Sequence, residues 1–400
     1  MYLPAIFIYK DLKHCDFRDS ILTKYYPTPD WQQGFIHEPS GNHVMKYSCG
    51  QAIQYLPFFL IGHAWAKTST VYPADGFSFP YQFMISMSAL IAAFIGLFVL
   101  FKSLQFYFSK RISALTVFLI LIGSNYLDYA AINGAMTHNY LFTIYAIIIY
   151  STIKFYRNPT FGWAIGIGLL VGLAALTRPT EIISCIIPIL WGLNPLKKKA
   201  IKHRLNFYKV HAGKFLTSAV ACLLVGSIQM IYWKYVSGEF IVYSYEDQGF
   251  HWLDPHIFEC MFSYKSGWLT YSPFMVLGLI GLYFLFRQKK KVYFAILIYL
   301  LIHMYLTFSW QEWWYGGSLG QRAMIQSYPA QAFAIAAFFT AVSSWNRLIK
   351  ILLGIVIGIM VYLNLWFTRN SHKDGVLHVG QMNEAYFKKT VGRWDFNPEY

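Results

Sequence analysis

Charge is scarce in this chain. Only 13% of its 400 residues are Asp, Glu, Lys or Arg, about half of the roughly 25% found in ordinary soluble domains, and a soluble globular fold is excluded. Acids are scarcer than bases, 18 against 33. Long polar tracts, low-complexity blocks, internal repeats and sustained heptads are missing, which removes disorder, repeat arrays and coiled coils. Cysteine is thin too: five residues without a spacing pattern cannot frame a disulfide scaffold. Cys185 and Cys222 fall inside apolar runs. Cys15, Cys49 and Cys260 fall in loops, where one extracytoplasmic disulfide remains the alternative to free thiols.

What is present is apolar: 56% hydrophobic residues, with 20% aromatic. From Tyr81 to Phe367 apolar runs recur, mostly about 15 to 22 residues long, near the roughly 17 to 25 that cross a bilayer as helix. The expected fold is therefore all-α, a polytopic transmembrane bundle of about ten spans. The spans fall at 81–101, 112–124, 139–153, 162–176, 182–193, 215–236, 270–286, 292–309, 324–341 and 351–367. This divides the chain into a first-loop region (1–79) with interfacial helices, a bundle (80–367) and a tail (368–400).

Alternate loops carry the basic charge. Lys102, Lys110 and Arg111, then Lys154 and Arg157, then the run from Lys197 to Arg204 with Lys209 and Lys214, then Arg287 and Lys289 to Lys291, and last Arg347 and Lys350 hold 18 of the 33 basic residues and none of the 18 acidic ones. By the positive-inside rule these loops are cytoplasmic. The other loops, the start and the tail are then extracytoplasmic, in the plasma or inner membrane of a bacterial cell. Topogenic Lys and Arg also explain the net charge of +15 better than nucleic-acid binding does. An extracytoplasmic start needs translocation, yet Met1 to Tyr9 is too short for a signal anchor and meets Lys10-Asp11 at once. The expectation is one further span upstream in the natural protein or its relatives.

In the first-loop region Lys10 to Asp19 is charged and amphipathic, residues 25–42 are rich in Pro, Gly and Asp and are expected as loop, and Tyr47 to Ala66 suits the membrane interface. His37, Glu38 and His43 lack the spacing of a metal site. Four outer-face segments combine a cation with Gly or Pro: Met45-Lys46-Tyr47-Ser48-Cys49-Gly50, Leu176-Thr177-Arg178-Pro179, Tyr264-Lys265-Ser266-Gly267-Trp268 leading to Tyr271-Ser272-Pro273, and Trp313-Trp314-Tyr315-Gly316-Gly317 leading to Gly320-Gln321-Arg322. A cation at a helix end can hold a lipid phosphate, and Gly or Pro there frees backbone donors. Any one of the four could be a plain interfacial anchor; four on the face that also holds the acids point to a site. Asp128 and His138 stand at the outer ends of two spans, where ionisable groups often mark function. Glu246 and Asp247 sit among aromatics suited to a sugar, or to an interfacial belt with solvated acids.

These segments together resemble the integral-membrane glycosyltransferases of the GT-C superfamily, in its protein O-mannosyl and lipid A aminoarabinose transferase-like branch. Leu176-Thr177-Arg178-Pro179 is similar to the family's Arg-Pro after a Gly-rich span, Trp313 to Arg322 to its Trp, Gly-Gly and Gly-x-Arg loop, and Lys46-Tyr47 with Tyr55-Leu56-Pro57 to its Lys-Pro-Pro segment. The resemblance implies an inverting transfer of sugar from a polyprenyl-phosphate donor, at the outer face, to a lipid, glycan or protein acceptor that the residues do not name. It implies Lys46, Arg178, Lys265 and Arg322 converging on the phosphate, and Trp268, Tyr271, Trp313 and Trp314 lining the sugar or prenyl groove. It also implies a catalytic Asp just before the Tyr2-Leu3-Pro4 region, which would precede Met1. The acids left as substitutes are Asp128, Glu246 and Asp247, with His138. Met45 stands where relatives often carry Glu, and Ser48-Cys49 replace paired prolines, which argues against a bound divalent metal; no other cofactor is expected. Without the acid the chain would be a poor catalyst or an inactive fragment. A flippase or transporter of lipid-linked saccharides is the alternative from another class, opposed by the absence of charge at midspan.

Overall fold

The computed structural model describes residues 1–25, 34–245, 247–288, 291–317, 319–372, 377 and 382–393. Helix dominates. Among the described residues, three helices are long and apolar enough to cross a membrane: Phe79–Leu104, Ala212–Ser237 and Arg347–Asn370. Each contains one of the expected spans. Most of the other expected spans meet shorter helices: Lys110–Gly123, Phe161–Thr177, Val276–Arg287, Tyr293–Phe308 and Tyr328–Val342. Thr137–Arg157 runs 21 residues but ends in Lys154 and Arg157.

Two expectations change in detail. Residues 182–193 are not one helix: a 3-10 turn, Pro179–Cys185, precedes a single α turn, Ile186–Leu190. Pro179 and Pro188 each lack an N–H, and Gly192 leaves the helical region at φ +77°. Nor are residues 25–42 loop throughout, since Gly34–His37 pairs antiparallel with Asn42–Met45, from Gly34 opposite Met45 to His37 opposite Asn42. Gly41, at φ +68°, turns the chain between them.

The chain forms two compact units. The first comprises Met1–Ile91, Pro159–Ile182 and Ala212–Gln248, and the second Ala92–Asn158, Ile183–His211 and Gly249–Tyr400. In the first, Phe161–Thr177 packs along Ala212–Ser237 by a stripe of small residues, Ala164, Gly168 and Gly172. A Cβ added at Gly168 would stand 2.1 Å from the Ser218 carbonyl oxygen, and one at Gly172 2.8 Å from that of Cys222. Apolar burial cannot hold helices together in lipid, so close backbone approach at small residues does. In the second unit Tyr328–Val342 is buried on nearly every side, as a helix apolar all round must be. It meets Val276–Arg287 at Gly278 and Gly281, where a Cβ at Gly281 would stand 2.3 Å from the Ala334 carbonyl.

Gly168→Leu should therefore overpack the first unit, at a cost of about 1 to 3 kcal/mol, and lower the melting temperature in detergent. Gly166→Leu, two residues away with nothing within 4 Å of its Cβ position, should not. Equal melting temperatures for the two variants would contradict this packing.

Candidate active site

The first unit brings Lys46 and Arg178 into one neighbourhood. The segment bearing Lys46 is stitched to the end of Ala212–Ser237: Asn42 Nδ2 donates to the Val236 carbonyl at 2.7 Å, Met45 N–H to the Tyr232 hydroxyl at 2.9 Å, and Cys49 N–H to Gln229 Oε1 at 2.9 Å. Gly50 then lies on the end of Phe161–Thr177, where a Cβ would stand 2.4 Å from the Thr177 amide nitrogen. Gln54 Nε2 donates to Thr177 Oγ1 at 2.9 Å. Arg178 follows at once as the C-terminal cap. Lys46 is buried, 6% exposed, and its carbonyl accepts from Ser244 Oγ at 2.6 Å. The next residues along, Tyr47 and Tyr245, meet edge to face. Burial pushes the Tyr245 hydroxyl above its ordinary value, while the positive field of Arg178 pulls it back.

The second unit gathers a larger set. Asp128 opens a π-helical turn, Asp128–Ile132, a local insertion that often accompanies function. Its side chain is closed to solvent, and His372 Nε2 donates to Asp128 Oδ1 at 2.6 Å while the imidazole remains 33% exposed. Asn133 Nδ2 donates to the other carboxylate oxygen at 3.0 Å. Because a carboxylate only accepts, the His372 nitrogen facing it, Nε2, carries a proton, and in the neutral ring Nδ1 is the accepting nitrogen.

Further along, Met136 and His138 meet the 3-10 turn Arg322–Ser327. Arg322 Nη1 donates to Met136 Sδ at 3.5 Å, and His138 Nδ1 to Gln326 Oε1 at 3.2 Å. Arg322 Nε is buried with no hydrogen-bond partner among the described residues. Residues 263–272 and 313–322 are tied together beside it: Ser266 Oγ donates to the Gly320 carbonyl at 2.8 Å and Gln321 Nε2 to the Trp313 carbonyl at 2.7 Å. Lys265 Nζ lies 3.4 Å from the Trp314 ring centre and 5.7 Å from that of Trp313, a cation held by ring faces. Tyr315 and Gly316 are both left-handed, at φ +54° and +63°, and Gly320, at +62°, stands where a Cβ would press on Tyr271.

Of the four expected phosphate cations, then, Lys46 and Arg178 belong to the first unit and Lys265 and Arg322 to the second. Trp313 and Trp314 are half-buried beside Lys265. Trp268 and Tyr271 lie deeper, as packing residues: Trp268 is fully buried, with Nε1 donating to the Tyr328 hydroxyl at 3.1 Å, and Tyr271 packs on Phe367 and Phe387. Asp247 is exposed, and Glu246 lies outside the described residues. His372 was not among the expected residues, because nothing in the sequence near it signals a partner 244 positions away. All five cysteines are free. No group of three or more His, Cys, Asp or Glu side chains able to hold a metal gathers among the described residues.

Residues 77–225 match the family model of the dolichyl-phosphate-mannose-protein mannosyltransferases. The match supports a GT-C glycosyltransferase, a membrane-bound transferase. It takes in Asp128, His138 and Arg178, with the Arg178-Pro179 pair that carries part of the resemblance, and leaves Lys46, Lys265 and Arg322 outside. No curated protein matches the chain.

The Lys46 segment can be probed through Cys49, whose thiol burial pushes up to about 11 from an ordinary 9.0. A raised thiol pKa means less thiolate at a given pH, so alkylation by iodoacetamide at pH 8 should run about a hundredfold slower than at an unperturbed cysteine, rising with pH until near 11. Alkylation at the unperturbed rate in folded protein would contradict the placement.

Proposed function

We propose that the chain transfers a sugar from a polyprenyl-phosphate donor to a hydroxyl-bearing acceptor at the outer membrane face, with inversion at the sugar carbon. One observation carries the reading. Arg322 holds a partly buried guanidinium that, among the described residues, meets a thioether sulfur at Nη1 and has no hydrogen-bond partner at Nε. A buried charge left in that state is costly, and a departing phosphate answers it with complementary geometry. Lys265, parked on Trp314, supplies a second cation from the same unit.

In the reaction the bond between the sugar C1 and the phosphate oxygen breaks, and its electron pair leaves with the polyprenyl phosphate. The acceptor oxygen bonds to C1 and gives up its proton. Arg322 and Lys265 stabilise the charge gathering on the phosphate. His372 takes the proton at Nδ1, with Asp128 as a positioning residue that holds the ring and stabilises the imidazolium. Asp128 is enclosed, so its carboxylate acts on the acceptor through His372 and not directly. Lys46 and Arg178 form a second cationic group, supported by the family match around Arg178.

Arg322→Ala should weaken binding of a labelled polyprenyl-phosphate sugar by roughly 2 to 5 kcal/mol, with Arg322→Lys between it and wild type. His372→Ala should leave binding intact and lower kcat about 10² to 10⁴-fold. Wild-type binding by Arg322→Ala would remove the phosphate role, and wild-type turnover by His372→Ala would remove the base.

The ten apolar runs are read as membrane segments, with the basic loops on the side opposite the site. Cysteines placed at Lys199 and Gln248 should label from opposite faces of intact membranes; labelling from one face would overturn the topology.

A further inference from the structure

The second unit holds a cavity of about 1090 Å³ that the transfer chemistry does not use. Its volume lies just above the roughly 300 to 1,000 Å³ typical of small-molecule sites. Arg157, Lys197, His203, Arg204, Arg287 and Lys291 line it, and among the described residues no Asp or Glu does. These residues come from three helices and two connecting segments. A loop needs only a count of Lys and Arg to stay on one side of a membrane; nothing in that requirement draws them around one hollow. Lys102, Lys110 and Lys350 belong to the same set of basic loops and do not line it.

The floor of the cavity is built. The Arg204 guanidinium lies 4.3 Å from the Tyr156 ring centre, and Nη2 donates to the Trp191 carbonyl. Gly192, at φ +77°, makes room for it: a Cβ there would stand 2.7 Å from Nη2. Tyr156 is fixed in turn, its hydroxyl donating to the Pro188 carbonyl at 2.7 Å. Arg157 rests 4.2 Å over Phe106. Both guanidiniums are oriented by rings and a carbonyl, which leaves their charge unneutralised. The rim carries exposed apolar side chains, Leu196 at 72% and Phe286 at 46%.

We propose that this cavity binds the phosphate headgroup of an anionic lipid, with the cations on the phosphate and the apolar rim against the acyl chains. Convergent cations raise the local concentration of anions, and basic pockets among membrane helices suit lipid headgroups. The site is separate from the donor site of the proposed transferase, and its test does not require transfer to occur.

The test is native mass spectrometry of the full chain in detergent with phosphatidylglycerol, phosphatidylcholine or inorganic pyrophosphate. Phosphatidylglycerol should bind in preference to phosphatidylcholine. The variant Arg157→Gln, Lys197→Gln, Arg287→Gln removes three exposed cavity cations and should weaken that binding about a hundredfold. The charge-matched control Lys110→Gln, Lys202→Gln, Lys209→Gln should change it less than about twofold. Failure of pyrophosphate to compete assigns the site to a lipid. Competition that the cavity variant abolishes keeps the phosphate site and assigns it to a soluble phosphate compound, overturning the lipid. Equal losses for the two triple variants, or no preference for phosphatidylglycerol, would overturn the site itself.

Discussion

A cation taken out of water must be answered by something, and in this protein the answers are unusual. Carboxylates are few, and the described cations of the second unit largely do without them: Arg204 has a ring and a carbonyl, Lys265 two indoles, Arg322 a sulfur. Ring faces and carbonyls hold a guanidinium or ammonium in place without cancelling its charge. A carboxylate in the same position would neutralise it. The result is fixed, unneutralised positive charge, the electrostatic requirement for holding phosphate.

Backbone geometry creates the room for this. Gly50 lets the Lys46 segment close onto Thr177, Gly192 admits the Arg204 guanidinium, and Gly320 lets the Arg322 strand of chain pass Tyr271. Among the described residues, the one carboxylate drawn deep into the second unit, Asp128, sits on a π-turn and is paired with a histidine, as a buried acid must be partnered. Its pairing changes what each group can do: the acid becomes a fixed support and the imidazole becomes the reactive group.

Much of the helical plan was legible. Residues 81–101, 215–236 and 351–367 read as spans because their apolar runs are long and unbroken, and they fall within Phe79–Leu104, Ala212–Ser237 and Arg347–Asn370. Residues 182–193 read as a span on hydropathy alone, which does not register that Pro179 and Pro188 interrupt the hydrogen-bond ladder. The hairpin was hidden because each strand is four residues long, and its turn residues dominate the local composition. At the site, the cations were visible as residue types beside Gly and Pro. What each cation rests on was not, because those partners are set by tertiary packing: Met136 for Arg322 is 186 positions away, and His372 for Asp128 is 244. Trp268 and Tyr271 carry the same aromatic signal as Trp313 and Trp314, and only packing separates the buried pair from the half-exposed one.

The central claim is that phosphate held by these cations is a leaving group, and the direct measurement follows both halves of a labelled donor. Purified protein in sealed vesicles would be given a polyprenyl-phosphate sugar labelled in the sugar, with a hydroxyl acceptor on the outer face. Glycosyl transfer predicts labelled acceptor and free polyprenyl phosphate appearing in equal amounts. Movement of intact donor between leaflets, with neither product formed, would contradict the account and identify a carrier of lipid-linked sugar.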